Sequence, residues 1–334
     1  METGASFTKR LMSVLEPIKL WSESPAGKRA QRILSASLSI LILWLLASSI
    51  AEIGWRQVLA SLPANPLFWL CFAGSYFLLP LIDWFIYRRW WKLDWRDGSV
   101  FLKMRVMNEA LFSYSGHTYL LIWAAGRMGI EFDPDKPPRI LGRGDGPGVD
   151  PATSPFAAVK DMAITSGLAG NLGTLVMLML ALSMGGDRVL GDSFDRRTFD
   201  ILIWSFSAMI LLNVAIVLFR GKVMSLPPKE NIFAFNWHLF RLLAGHVLLV
   251  LSWVIALPAV PFSSWFQLGA LRQVVGRMPL PNKELLFAAI AISVAGEASV
   301  EVAALMAAQG ALHLVFHGVS WAAALAIERK PATS

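Results

Sequence analysis

The stretch LFWLCFAGSYFLLPLIDWFI (67–86), followed at once by YRRWWK (87–92), decides the fold class of this chain. The first part has the length of about 20 apolar residues that a helix needs to cross the hydrocarbon core of a bilayer. The second part is an aromatic and cationic belt of the kind found at the headgroup level. Together they predict a transmembrane helix that ends at the cytoplasmic surface, where Asp83 is expected to pair with Arg88 or another interfacial cation.

Composition extends this prediction to the whole chain. Of the 334 residues, 55% are hydrophobic and only 16% are charged, and the mean hydropathy is +0.54. A soluble domain of this length cannot bury so much apolar surface. The alternating pattern of a β-barrel is missing, so the spans are expected to be helical. We therefore predict an all-α fold, a polytopic transmembrane helical bundle of about 6–8 spans, with spans at 33–51, 67–86, 162–184, 199–219, 239–257, 284–308 and 311–327.

The chain is predicted to have one membrane domain and two polar ends. Segment 1–32 is basic and amphipathic, and is expected to lie as a helix on anionic headgroups at the cytoplasmic face. A single transmembrane domain is predicted over 33–328, with an irregular Pro-, Gly- and Asp-rich loop at 126–155 and a tail at 329–334. The net charge of +7 follows from topology and headgroup contacts, so no nucleic-acid partner is expected. These features predict a multi-pass protein of the cell inner (plasma) membrane with a cytoplasmic N-terminus.

Two shorter apolar segments are interrupted by polar side chains and are predicted to be re-entrant. If segment 104–125 crossed the membrane fully, the cations of 220–229 would lie outside, against the positive-inside bias. By the same count, segment 262–278 would enter from the outside. Two broken segments in corresponding places of two halves are typical of an inverted-repeat transporter, although two amphipathic interfacial helices fit the same pattern. On this count the cations of 329–330 end outside, so one of the late segments must be assigned wrongly.

Ionisable side chains within an apolar run are candidates for function, because a charge at membrane depth costs about 2.5–3.5 kcal/mol. In the first broken segment, Arg105, Asn108 and Glu109 fall on one helical stripe that His117 completes. The planar guanidinium of arginine can bind a phosphodiester through two parallel hydrogen bonds, and simple anchoring of a helix end at the headgroups is the alternative. The predicted substrate-binding residues are Arg105, Asn108, Glu109, His117, Arg127, Arg272 and Arg277.

Two pairs of titratable residues late in the chain share one spacing. Glu297 and Glu301 are expected on one helix face, as are His313 and His317. A tight turn near 309–310 would bring the histidines back along the glutamates. Such a group can form a proton or polar path, hold a metal ion, or neutralise itself so that two helices pack. We predict the proton or polar path and leave the other two uses open.

The order of these features resembles a known family. A span ending in YRRWWKL (87–93) is followed by RVMNEALFSYSG (105–116), which leads to Arg127, and after a loop comes KDMAITSGLAGNLG (160–173). This order is similar to that of the lysylphosphatidylglycerol synthase transmembrane-region family of flippase-like integral membrane proteins. The resemblance implies a helical bundle with re-entrant segments that moves aminoacylated phospholipids or polyprenyl-linked sugars between leaflets. By residue match it carries over Asn108 and Arg127.

The leading hypothesis is therefore an inner-membrane flippase or transporter of a lipid or lipid-linked substrate, with an anionic headgroup or a polyprenyl chain. Membrane lipids would be its partners, and no cofactor is predicted. The alternative is an intramembrane enzyme that acts on lipid through a metal ion held by His117, His313, His317 and Glu297. A third hypothesis is a non-catalytic scaffold whose basic N-terminal segment and Asp-rich loop bind partners.

Overall fold

The computed structural model describes residues 62–110, 114–128, 150–184, 204, 207, 210–277, 287, 291 and 299–329. Within these residues the chain is helical and contains no strand. The helices are α1 (Pro66–Trp91), α2 (Gly98–Ala110), α3 (Ser115–Arg127), α4 (Pro155–Ser183), α5 (Arg220–Val223), α6 (Pro228–Ala256), α7 (Phe262–Arg277) and α8 (Ser299–Arg329). The predicted all-α fold is confirmed for this part of the chain.

Four helices are long and apolar enough to cross a membrane, namely α1, α4, α6 and the part Val300–Glu328 of α8. Three of the predicted spans fall on α1, α4 and α6. Segment 1–32, the predicted span 33–51 and most of the loop 126–155 lie outside the described residues. The chain is thus a helical membrane protein, and the total of about 6–8 spans stays a prediction.

Proline marks the start of three of the long helices. Pro66, Pro155 and Pro228 occupy first-turn positions, where a missing N–H costs nothing. Asn65 precedes α1 and its Oδ1 accepts a hydrogen bond from the backbone N–H of Leu67 at 2.9 Å. The Asn65 cap of α1 satisfies a donor that the helix itself leaves free, as does Ser154 at the start of α4.

The last helix corrects one prediction. The turn near 309–310 is wrong, because α8 runs without interruption from Ser299 to Arg329. A single glycine inside a helix costs only about 1 kcal/mol, and burial of the neighbouring Leu305 and Leu312 in an apolar cluster offsets that cost. Gln309 also accepts a hydrogen bond from the indole of Trp253 at 2.5 Å. The predicted spans 284–308 and 311–327 are therefore not two helices joined at Gly310.

One end of the bundle, here called the belt end, gathers most of the cations. It contains the end of α1 and the starts of α2, α4 and α6, since Trp91 donates to the carbonyl of Pro151 and Arg89 pairs with Glu230. The end of α8 lies there too, because Lys103 near the start of α2 contacts Glu328. With one crossing fewer late in the chain, the end of α8 falls on the same side as the aromatic and cationic belt. This removes the conflict with the positive-inside bias.

A polar layer separates two apolar clusters. The first cluster, at the belt end, is built on residues such as Tyr87, Trp91 and Phe101. The second, at the far end, is built on residues such as Phe72 and Trp253. Between them along the helices lie the buried polar or charged residues Asp83, Arg105, Thr165, His238 and His317. The candidate site is found in this layer.

Candidate functional site

Helices α2 and α3 form a hairpin that carries the first predicted stripe. Each helix has 13 residues, which gives about 20 Å at 1.5 Å per residue. The two ends of the hairpin meet at the belt end, where Arg127 Nη1 lies 2.7 Å from Asp97 Oδ1. The other end of the hairpin, its tip, reaches the depth of the polar layer, where Ser115 and Gly116 are buried and Tyr114 is exposed. Arg127 is therefore separated from the tip by the length of α3.

The tip depends on one glycine and one asparagine. A side chain at Gly116 would overlap the backbone carbonyl of Met104, so only glycine allows the two helices this close approach. Asn108 Oδ1 accepts a hydrogen bond from the N–H of Gly116 at 2.8 Å, and the Asn108 amide lies 3.3 Å from His117 Nδ1. Two predicted substrate-binding residues, Asn108 and His117, thus contact each other and hold the hairpin closed.

A proline in α1 provides the place where the hairpin docks. Pro80 has no N–H, so the carbonyl of Tyr76, four residues earlier, has no partner within its own helix. Arg105 Nη1 donates to that carbonyl at 2.6 Å, and the guanidinium lies 4.0 Å from the centre of the Tyr76 ring. The missing hydrogen bond of α1 is therefore replaced by one from the tip of the hairpin. Tyr76 lies about 22 Å from Trp91 along α1, near the middle of the helix.

Four side chains around this contact form a closed ring of polar contacts, here called the mid-bundle ring: Tyr76, Arg105, Glu109 and His317. Arg105 Nη2 lies 2.9 Å from Glu109 Oε1, Glu109 Oε2 lies 3.0 Å from His317 Nε2, and His317 Nδ1 lies 2.6 Å from the Tyr76 hydroxyl. A neutral His317 satisfies every contact, since Nε2–H can donate to Glu109 while Nδ1 accepts from Tyr76.

Glu109 is the carboxylate partner of Arg105 within this ring, and it also contacts His317. Arg105, which is 7% exposed, accordingly has a counter-ion at mid-depth.

The predicted glutamate and histidine faces do not form as expected. Glu301 is exposed, and because α8 is continuous it lies about 24 Å from His317 along the helix. The carboxylate that contacts His317 is instead that of Glu109 in the hairpin. His313 contacts the carbonyl of Gln309 and packs against an aromatic ring of α1. Glu297 lies outside the described residues.

Helix α7 carries the second predicted stripe to the same depth from the opposite end. Gln267 donates to the carbonyl of Met184, which caps α4 at the far end. Ten residues later the Arg277 guanidinium lies where a side chain at Gly170 would be, about 20 Å along α4 from Ser183. Arg277 is within electrostatic range of Tyr114 at the hairpin tip and forms no ion pair within the described residues. The guanidinium of Arg272 lies 5.9 Å from the ring of Phe287.

A second ion pair in the polar layer was not predicted. Asp83 pairs with Arg241 of α6, whose Nη2 donates to Ser166 Oγ of α4 at 2.8 Å. The expected partner Arg88 is five residues from Asp83 and points to another face of α1, where it stacks on Trp84. The apolar context marked Asp83 as unusual, but nothing local in the sequence identifies a partner 158 residues away.

The ligand set of the metal-enzyme alternative is not assembled among the described residues. Within them, no group of three or more His, Cys, Asp and Glu side chains is placed to hold a metal ion. His117 contacts Asn108, and His317 contacts Tyr76 and Glu109.

The fold and the site define a helical membrane protein with paired charges at the centre of its bundle. Comparison of the chain with protein-family models, with curated proteins and with solved structures finds no match.

Proposed function

We propose that this protein is a transporter, or flippase, which moves a lipid or lipid-linked molecule with an anionic headgroup between the leaflets of the cell inner membrane. The observation that carries the proposal is the meeting of two half-length elements at mid-depth. The hairpin comes from the belt end with Arg105, and α7 comes from the far end with Arg277. Broken elements that enter from opposite faces are the mark of inverted-repeat transporters, whose substrate sites lie near the membrane midplane.

The belt end is assigned to the cytoplasm in this proposal. Lys92, Arg96 and Arg127 are there, and positive charge concentrates on the cytoplasmic side of membrane proteins. The hairpin then enters and leaves on the cytoplasmic side, and α7 enters from outside. Together with the predicted span 33–51, this order supports a cytoplasmic N-terminus.

The two arginines have different roles in the proposal. Arg105 is neutralised by Glu109 and bonded to α1, so it positions the hairpin. Arg277 has no carboxylate among the described residues and lies against glycine backbone, which leaves its planar fork for a phosphate group. Arg272, five residues earlier, points to another face of α7, where its guanidinium lies 5.9 Å from the ring of Phe287, so it is not assigned to the same anion. The mid-bundle ring, with His313 beside it, provides a polar path past the headgroup.

The test is lipid transfer in vesicles of phosphatidylcholine that contain fluorescently tail-labelled phosphatidylglycerol or phosphatidylcholine, with dithionite quenching of the outer leaflet. We expect faster transfer of the anionic lipid by the wild type and a loss of about 10–100-fold in Arg277→Gln, since hydrogen bonds to charged groups contribute about 1.5–3 kcal/mol. Arg88→Gln is the matched control, because Arg88 is exposed at the belt end. Equal rates for both lipids, or an unaffected Arg277→Gln, would remove the proposal.

A further inference from the structure

The Asp83 carboxylate has two basic neighbours on one face of α6, and only one of them reaches it. It is 5% exposed and pairs with Arg241 of α6. His238 lies three residues before Arg241, on the same face of α6, and its Nδ1 is 3.8 Å from Asp83 Oδ1. That distance is too long for a hydrogen bond. Arg241 therefore holds the carboxylate while His238 lies next to it unbound.

Two buried polar groups beside Asp83 lack partners in the described structure. Neither ring nitrogen of His238, which is 3% exposed, has a hydrogen-bond partner, and the same is true of the Tyr87 hydroxyl one turn along α1. An unsatisfied buried polar group costs about 1–3 kcal/mol, so such groups are rare in native structures. A second arrangement that satisfies His238 explains why the cost is tolerated.

We propose that His238 and Asp83 form a proton-binding site whose occupation excludes the ion pair between Arg241 and Asp83. The proton adds to the lone pair of a neutral His238 nitrogen, and no electrons are transferred. The Arg241 contact with Asp83 breaks, and a charged hydrogen bond from His238 to Asp83 forms after a closure of about 1 Å. Arg241 keeps its hydrogen bond to Ser166.

Repulsion between the two basic groups separates the two arrangements. While Arg241 neutralises Asp83, a proton on His238 would place a second positive charge on the same face of α6. Arg105 and His117 of the hairpin also act electrostatically on Asp83, and His117 acts on His238. The site is thus surrounded by α1, α4, α6 and the hairpin, and repulsion from a protonated His238 favours moving Arg241, the more exposed of the two side chains, away from Asp83.

The location gives the site a use that rests on the proposed function. Arg241 joins α6 to α1 through Asp83 and to α4 through Ser166. A proton that releases Arg241 from Asp83 changes which helices are held together. In a transporter with two conformations, a ligand that favours one of them shifts the balance. The proton is then the coupling ion, and it binds at Asp83 and His238.

Nitrogen NMR of the histidine side chains tests proton binding without any transport assay. The chain has five histidines, so the His238 signal in lipid nanodiscs can be identified by its loss in His238→Gln. We expect Arg241→Gln to raise the midpoint pH of His238 by at least one unit, a tenfold gain in proton affinity, and Asp83→Asn to lower it. His246, which is equally buried on α6, is the control, and its midpoint pH is expected to be the same in both variants as in the wild type.

The same midpoint for His238 in the wild type and both variants would overturn the proposal. If Arg241→Gln does not fold, Arg241→Lys keeps the charge but loses the fork that reaches both Asp83 and Ser166, and it is expected to shift the midpoint in the same direction by a smaller step; no shift there would equally count against the site. Transport rates measured under opposite pH gradients then distinguish a failure of proton coupling from a failure of the proposed transport function. A transporter that ignores the gradient refutes coupling alone, whereas absent transport refutes the proposed function and leaves the NMR result standing.

Discussion

Breaking the ion pair between Arg105 and Glu109 is expected to destabilise the bundle more than any surface ion pair would. In Glu109→Gln the Arg105 guanidinium, 7% exposed and at mid-depth, loses its only carboxylate among the described residues. Removing one partner of a buried pair costs about 3–5 kcal/mol. Because the Glu109 side chain is 38% exposed, water screens part of this interaction. We therefore expect Glu109→Gln to lower the free energy of unfolding by about 2–3 kcal/mol.

A double-mutant cycle isolates this contribution. The variants Glu109→Gln, Arg105→Met and their combination are compared by unfolding in mixed micelles with increasing dodecyl sulfate, followed by circular dichroism. Arg105→Met also leaves the Tyr76 carbonyl without a donor, because Pro80 cannot supply one. That extra loss appears in the single and the double variant alike, so it cancels from the coupling energy.

The pair between Arg127 and Asp97 is the matched control. Its atoms are 2.7 Å apart, closer than those of the buried pair, but it lies at the belt end with Arg127 41% exposed. The same cycle there is expected to give about 0.2–1 kcal/mol. A coupling energy below 1 kcal/mol for Arg105 and Glu109, or equal values for the two pairs, would show that burial at mid-depth does not set the strength of the contact.

Two further predictions concern the hairpin and α8. Gly116→Ala is expected to destabilise the protein by about 1–3 kcal/mol, because the methyl group meets the Met104 carbonyl; Gly126→Ala, with open space around it, is the control in the same unfolding assay. Gly310→Ala is expected to stabilise by about 0.5–1 kcal/mol, since Gly310 is helical with nothing within 4 Å; destabilisation would contradict a continuous α8.

Hydropathy located the long helices but placed their starts too late. The predictions 162–184 and 239–257 begin several residues after Pro155 and Pro228, since Asp161 and Glu230 interrupt the apolar pattern. In the structure both charges are satisfied: Asp161 accepts from the backbone of Ser225, and Glu230 from Arg89 and Trp90. A scale based on single residues cannot include partners that the fold brings from elsewhere in the chain.

In the candidate site, too, local contacts could be predicted from the sequence and long-range contacts could not. Helical spacing places Arg105 and Glu109 in contact, because a separation of four residues is local. The contact of His317 with Tyr76, and that of Asp83 with Arg241, join residues that are far apart in the chain. The prediction of a turn at Gly310 is wrong for a physical reason. Glycine permits a turn but does not require one, and apolar packing on both sides of Gly310 favours the helix.

The proline in α1 determines which parts of the molecule can move independently. A carbonyl that lacks its helical partner cannot be left bare in an apolar interior, so Tyr76 binds the hairpin to α1 for as long as no other donor is present. Helix α1 and the hairpin should therefore travel as one rigid piece. They separate only when another donor, a water molecule or a hydroxyl- or amine-bearing headgroup, reaches that carbonyl, so release of the hairpin depends on the access of such molecules to the polar layer.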